Sequence, residues 1–73
     1  MPKTTTVIRN IETAARKAGL SFQHLREGGN HTIYSLDGLN VPIARHANTA
    51  GYLEVRIYKL CEVKLGKGWW RRR

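Results

Sequence analysis

Apolar residues recur at helical spacing near the start of the chain. Val7, Ile8, Ile11, Ala14, Ala15 and Ala18 fall on one side of a 3.6-residue repeat, with Arg9, Glu12, Arg16 and Lys17 mostly to the flank. The pattern predicts an amphipathic helix over roughly residues 5–18. Thr4, Thr5 and Thr6 are candidate N-caps, Lys17 suits the last turn, and Gly19 is a stop just past it. The period then changes to two. Leu20, Phe22, His24 and Arg26 alternate with Ser21, Gln23 and Leu25, which predicts a strand from Leu20 to Glu27 whose buried face stays open. Gly28-Gly29 reads as a hairpin turn into a second strand, Asn30 to Leu36, and Asp37-Gly38 as a tighter one into a third, Leu39 to Ile43. Leu39, Val41 and Ile43 share a face, while Pro42 lacks an N–H for the ladder, so this strand either lies at an edge or ends there. Ala44 to Gly51 connects to a second helix over roughly residues 50–62, with Thr49 as its candidate N-cap. Its apolar stripe is Leu53, Ile57, Leu60 and Cys61; Glu54, Arg56 and Lys59 fall on the wet side.

The order helix, three strands, helix predicts an α+β fold: a three-stranded antiparallel meander carrying both helices on one face. The other sheet face is then free to meet a ligand. The 73 residues suffice for one domain, 1–73, closing in a basic Trp/Arg tail over residues 66–73. A domain of this size buries only about 60% of its unfolded surface, so a partner of the folded form would stabilise it by mass action.

Charge narrows the partner. Thirteen Lys and Arg against five Asp and Glu leave a formal charge of +8, which favours nucleic acid, an acidic protein or an anionic membrane. Cys61 is the only cysteine, so an intramolecular disulfide framework is excluded and a reducing compartment is expected. Cys61 itself reads as a small core hydrophobe. No run approaches the ~20 apolar residues of a membrane span, and no stretch resembles a signal peptide. The expectation is a cytoplasmic protein with no membrane partner.

The candidate chemistry gathers at Gly28-Gly29-Asn30-His31, where a histidine stands at the corner between turn and strand. Tyr34, three residues on in the same strand, points to the opposite face and reads as a core residue. His24 reads as a packing or surface residue. The spacings of His24, His31, His46 and Cys61 match no metal-ligand pattern, so no metal or other cofactor is expected. Gly29-Asn30 belongs to no phosphate-loop fingerprint, which gives no support to nucleotide hydrolysis.

Gly29-Asn30-His31-Thr32-Ile33-Tyr34, followed by Val41-Pro42 and then His46, resembles the HicA family of toxins from bacterial toxin–antitoxin pairs. The likeness runs from about Thr6 to the end of the second helix. The family usually has Ser or Gly at the position of Asn30, and its second histidine often lies closer to the Val-Pro pair. The resemblance implies a fold like the double-stranded-RNA-binding domain and a ribonuclease that cleaves mRNA and arrests translation. It also implies a HicB-like antitoxin covering the His31 face. RNA scission needs proton transfer and charge stabilisation, because the 2′-hydroxyl is already tethered beside the phosphorus. An imidazole, as a side-chain type, titrates near ~6.5 and serves as either base or acid. His31 is then the catalytic residue, with His46 as the possible second acid/base. Gly28, Gly29 and Asn30 would let a phosphate approach the backbone, with Arg26 and Arg45 neutralising it. In the tail, Trp70, Arg71 and Arg72 offer stacking and cationic contacts to RNA. Alternatively Trp69 and Trp70 close the core, or the arginines meet an acidic antitoxin. The competing functional reading is a non-catalytic RNA-binding module; a third is an interaction subunit for an acidic protein.

Overall fold

The computed structural model describes residues 3–71. Its elements are α1 (Thr4–Ala18), β1 (Phe22–Gly28), β2 (His31–Leu36), β3 (Leu39–Ala44) and α2 (Gly51–Leu65), then one 3₁₀ turn, Trp69–Arg71. The predicted α+β order holds. β2 is the central strand, antiparallel to both neighbours, so β3 with its Pro42 lies at an edge.

α1 buries Val7, Ile11 and Ala15, spaced one turn apart. It stops because Gly19 takes a left-handed conformation, φ 74°. There the amides of Gly19 and Leu20 donate back to the Arg16 and Ala15 carbonyls. The threonines do not cap it: the cap position is Lys3, without a side-chain hydrogen bond. Thr4 instead turns inward, its hydroxyl 2.8 Å from that of Thr49. Thr49 likewise does not cap α2, which starts after Ala50. Burial of both hydroxyls makes their mutual hydrogen bond worth more than a solvated cap.

At the second hairpin, Asp37 and Gly38 both have positive φ, 51° and 91°, as a primed two-residue turn requires. At the first hairpin the turn is Gly29-Asn30 rather than Gly28-Gly29. Gly28 ends β1 paired with His31, and Gly29 supplies the positive φ of 57°. β1 starts at Phe22, and its regular alternation fails at Leu25. His24 pairs with Tyr34 and Arg26 with Ile33, leaving Leu25 without a partner. This bulge places Arg26 on the face opposite His24.

Leu36, Val41 and Ile43 of the sheet join Val7, Ile11 and Ala15 of α1 and Tyr58 and Cys61 of α2 in one buried cluster. Both helices therefore cover the same sheet face. Of the expected α2 stripe Cys61 is buried and Ile57 and Leu60 pack against the core, but the centre of the helical side is Tyr58, at 1% exposure. Its hydroxyl accepts from Asn10 at 2.9 Å and donates to Glu54 at 3.0 Å, so its polar end stays satisfied. Glu54, expected on the wet side, is thereby drawn into the packing. No described helix is long and apolar enough to cross a membrane.

Candidate active site

His31 opens β2, opposite Gly28 on one side and Ala44 on the other. Alternation puts it on the sheet face away from the core, and it is exposed. Tyr34 goes the other way, stacking on Phe22 with ring centroids 5.1 Å apart. Burial, and then the charge of Glu27, pushes the Tyr34 phenol above its ordinary range.

A cavity of about 430 Å³ lies between β3 and α2, and it brings His31 and His46 together. His31 and Ala44 line it from the sheet; Leu53 and Arg56 line it from α2. Among the described residues neither imidazole has a hydrogen-bond or ion-pair partner, so their nitrogens stay open. His24 differs: its Nε2 lies 2.7 Å from Glu27 Oε2, and its ring meets Tyr34 edge-on. The three histidines of the chain thus divide into one engaged pair member and two open groups at a common cavity.

Both open histidines are held by pinned backbone. The His31 hairpin is gripped by Arg45, whose amide donates to the Asn30 carbonyl at 3.0 Å. Its guanidinium donates to the Gly29 carbonyl and, at 2.5 Å, to Glu27 Oε1. Glu27 also accepts from Thr32 Oγ1 at 2.9 Å. Hydrogen bonds from His24, Thr32 and Arg45 lower the Glu27 carboxyl to about 2. The His46 segment is pinned to α1: the Thr4 amide donates to the Ala47 carbonyl at 3.0 Å, and Lys3 pairs with Asn48.

No known protein family, curated protein or solved structure matches this chain.

The other expected site residues scatter. Arg26, moved by the Leu25 bulge, shares the outward face with His31. Arg45 is engaged in holding the turn, not turned to the cavity. Gly28, Gly29 and Asn30 flank His31 but do not line the cavity, and the Gly29 and Asn30 carbonyls are both occupied by Arg45. Trp69 and Trp70 pack on Tyr58, with ring centroids 5.1 and 5.9 Å away. Their indole N–H groups donate to the Tyr58 carbonyl and to Glu62, so the tryptophans close the core rather than offer free stacking faces. Arg71 lies over the Trp70 ring, 4.9 Å from its centroid. Arg72 and Arg73 lie outside the described residues. Among the described residues, no three His, Cys, Asp or Glu side chains cluster as a metal site would require. Cys61 is buried, and burial pushes its thiol up to about 12.

Sequence reasoning missed Arg56 and Tyr58. Tyr58 was signalled by its spacing to Cys61 and Leu65 along one side of α2. Arg56 lies three residues after Leu53 and four before Leu60, so the helical repeat itself puts it beside them; only the packing shows that this side of α2 faces a cavity against β3.

Proposed function

We propose that this chain is a metal-independent endoribonuclease of the HicA type, the toxin of a toxin–antitoxin pair. The observation that carries the reading is the pair of open imidazoles, His31 and His46, at one cavity. In this reaction one neutral imidazole takes the proton of the 2′-hydroxyl as its oxygen attacks phosphorus. The bond from phosphorus to the 5′-oxygen breaks, and the protonated imidazole delivers its proton to that oxygen. The products are a 2′,3′-cyclic phosphate and a 5′-hydroxyl, with no net change in the enzyme's protons. His31, on the rigid strand, is assigned as the principal acid/base group and His46 as its partner. Arg26 supplies positive charge on the same sheet face. The formal charge of +8 draws the polyanion and offers a surface to an acidic, HicB-like antitoxin that covers His31.

The deciding experiment incubates purified protein with a long transcript, with and without excess chelator. Cleavage to 2′,3′-cyclic ends that survives chelation and is lost in His31→Ala supports the assignment. Salt-sensitive RNA binding with no cleavage would leave a non-catalytic RNA-binding module. Cleavage abolished by chelator would replace the acid–base reading with a metal-dependent one.

A further inference from the structure

The cavity beside His31 and His46 has a wall that proton transfer does not use. Leu53, Ile57 and Leu60 of α2 line it together with Pro42 and Ala44 of β3. At about 430 Å³ the cavity falls within the size of small-ligand sites, roughly 300–1,000 Å³. No carboxylate among the described residues lines it, and Arg56 is its one permanent cation.

α2 sorts its charges by side. Glu54 is engaged by Tyr58, and Glu62 accepts from the Gly68 amide and the Trp70 indole, each at 3.0 Å. Both carboxylates therefore serve the core and tail, while Arg56 is left on the cavity side. Tyr52, 69% exposed, precedes Arg56 by one helical turn and shares its side of the helix. An apolar slot, a fixed cation at its rim, an aromatic one turn away and no negative charge suit one chemical object. That object is a nucleotide whose base is free to leave the stack. A base in a duplex is already paired and would leave the slot empty.

We infer that the cavity between β3 and α2 is a base-binding subsite for one unpaired nucleotide beside the scissile phosphate. Arg56 contacts its phosphate, and Tyr52 stacks on the neighbouring base. The subsite makes α2 part of the RNA site and makes the RNA single-stranded there. Its position relative to the cleaved bond rests on the ribonuclease reading above.

The test is fluorescence anisotropy of the full chain with short 2′-O-methyl RNA, which cannot undergo 2′-hydroxyl attack. The probes are the single strand, the same strand annealed to its complement, and a series with one abasic position each. The single strand is expected to bind about tenfold more tightly than the duplex, and one abasic position to weaken binding about fivefold. Ala44→Leu fills the slot and should erase the abasic penalty; Ile57→Phe repeats the test if Ala44→Leu does not fold. Arg56→Gln should weaken binding about tenfold, with Arg56→Lys restoring most of it. Tyr52→Ala should weaken the single strand and leave the duplex unchanged. Equal affinity for single strand and duplex, or a flat abasic series with a folded protein, overturns the subsite. A transcript left intact while the abasic pattern appears would remove the ribonuclease reading and keep the subsite. Cleavage with a flat abasic series would do the reverse.

Discussion

Arg26 and His31 stand on the same face of the sheet, and one unpaired residue, Leu25, brings Arg26 there. Without that bulge Arg26 would follow His24 onto the core face. With it, Arg26 pairs beside Ile33 and comes round to the side where Gly28 meets His31. A phosphate held at His31 would therefore find a guanidinium on its own side of the sheet. Arg26→Ala is expected to lower RNA affinity similarly across sequences and to reduce the salt slope by about one. Binding titrations over a salt series measure this. An unchanged slope in a protein of unchanged melting temperature removes Arg26 from the interface.

The histidines should separate by role. His31→Ala is expected to lower the initial cleavage rate on a long transcript by about 10²–10⁴-fold, the usual worth of one acid/base group. His46→Ala should fall in the same direction, and His24→Ala should leave the rate nearly unchanged. Circular dichroism of each variant checks that the fold is intact. A His24 variant as damaged as the His31 variant would move the chemistry to the opposite face.

Glu27 gives the fold an acid limb. Its carboxyl lies at about 2 instead of 4.5, because His24, Thr32 and Arg45 all bond its ionised form. A depressed carboxyl contributes stability that is fully present above its unfolded value and lost as the pH falls through the folded one. Stability should therefore decline between about pH 4.5 and about pH 2. Glu27→Gln should flatten that decline and loosen the turn that Arg45 holds. Urea midpoints at stepped pH values read the effect; parallel curves for the two proteins would refute it.

Tyr58 is the centre of the small core. Tyr58→Phe loses the hydrogen bonds to Asn10 and Glu54, and a cost of about 1 kcal/mol is expected. Tyr58→Ala opens a cavity beneath both tryptophans, for about 3–5 kcal/mol by analogy with other buried aromatics. In a domain whose whole stability is about 5–15 kcal/mol at most, that should abolish a sharp thermal transition. Truncation after Gly68 removes the rings that cover Tyr58 and should lower the melting temperature in the same direction. A truncated protein with unchanged melting but weaker RNA binding would return the tail to the RNA site.

Cys61 should be inert in the native state. Burial holds its thiol up at about 12, so almost no thiolate forms at neutral pH. A thiol reagent is expected to react only as fast as the protein opens, and rapidly in denaturant. Fast labelling without denaturant would show that α2 separates readily from the sheet.

Local chemistry was written openly in the chain. The helical recurrence of Val7, Ile11 and Ala15, the stop at Gly19 and the primed turn at Asp37-Gly38 each depend on neighbours a few residues away. So did the edge position of Pro42 and the opposite facing of His31 and Tyr34. These follow from backbone sterics and from periods of 3.6 and two, and they place a histidine at the mouth of a hairpin.

Long-range partners decided the rest. Thr4 finds Thr49, Arg45 grips the turn that carries His31, and Tyr58 gathers Asn10, Trp69 and Trp70 around one ring. Leu25 slips out of the ladder although nothing in its own alternation asks it to. Above all, His31 and His46 share a cavity only because α2 lies along β3. Sequence patterns encode which face of each element is apolar. They do not encode which polar groups meet once those faces are buried together, because that depends on how separate elements pack.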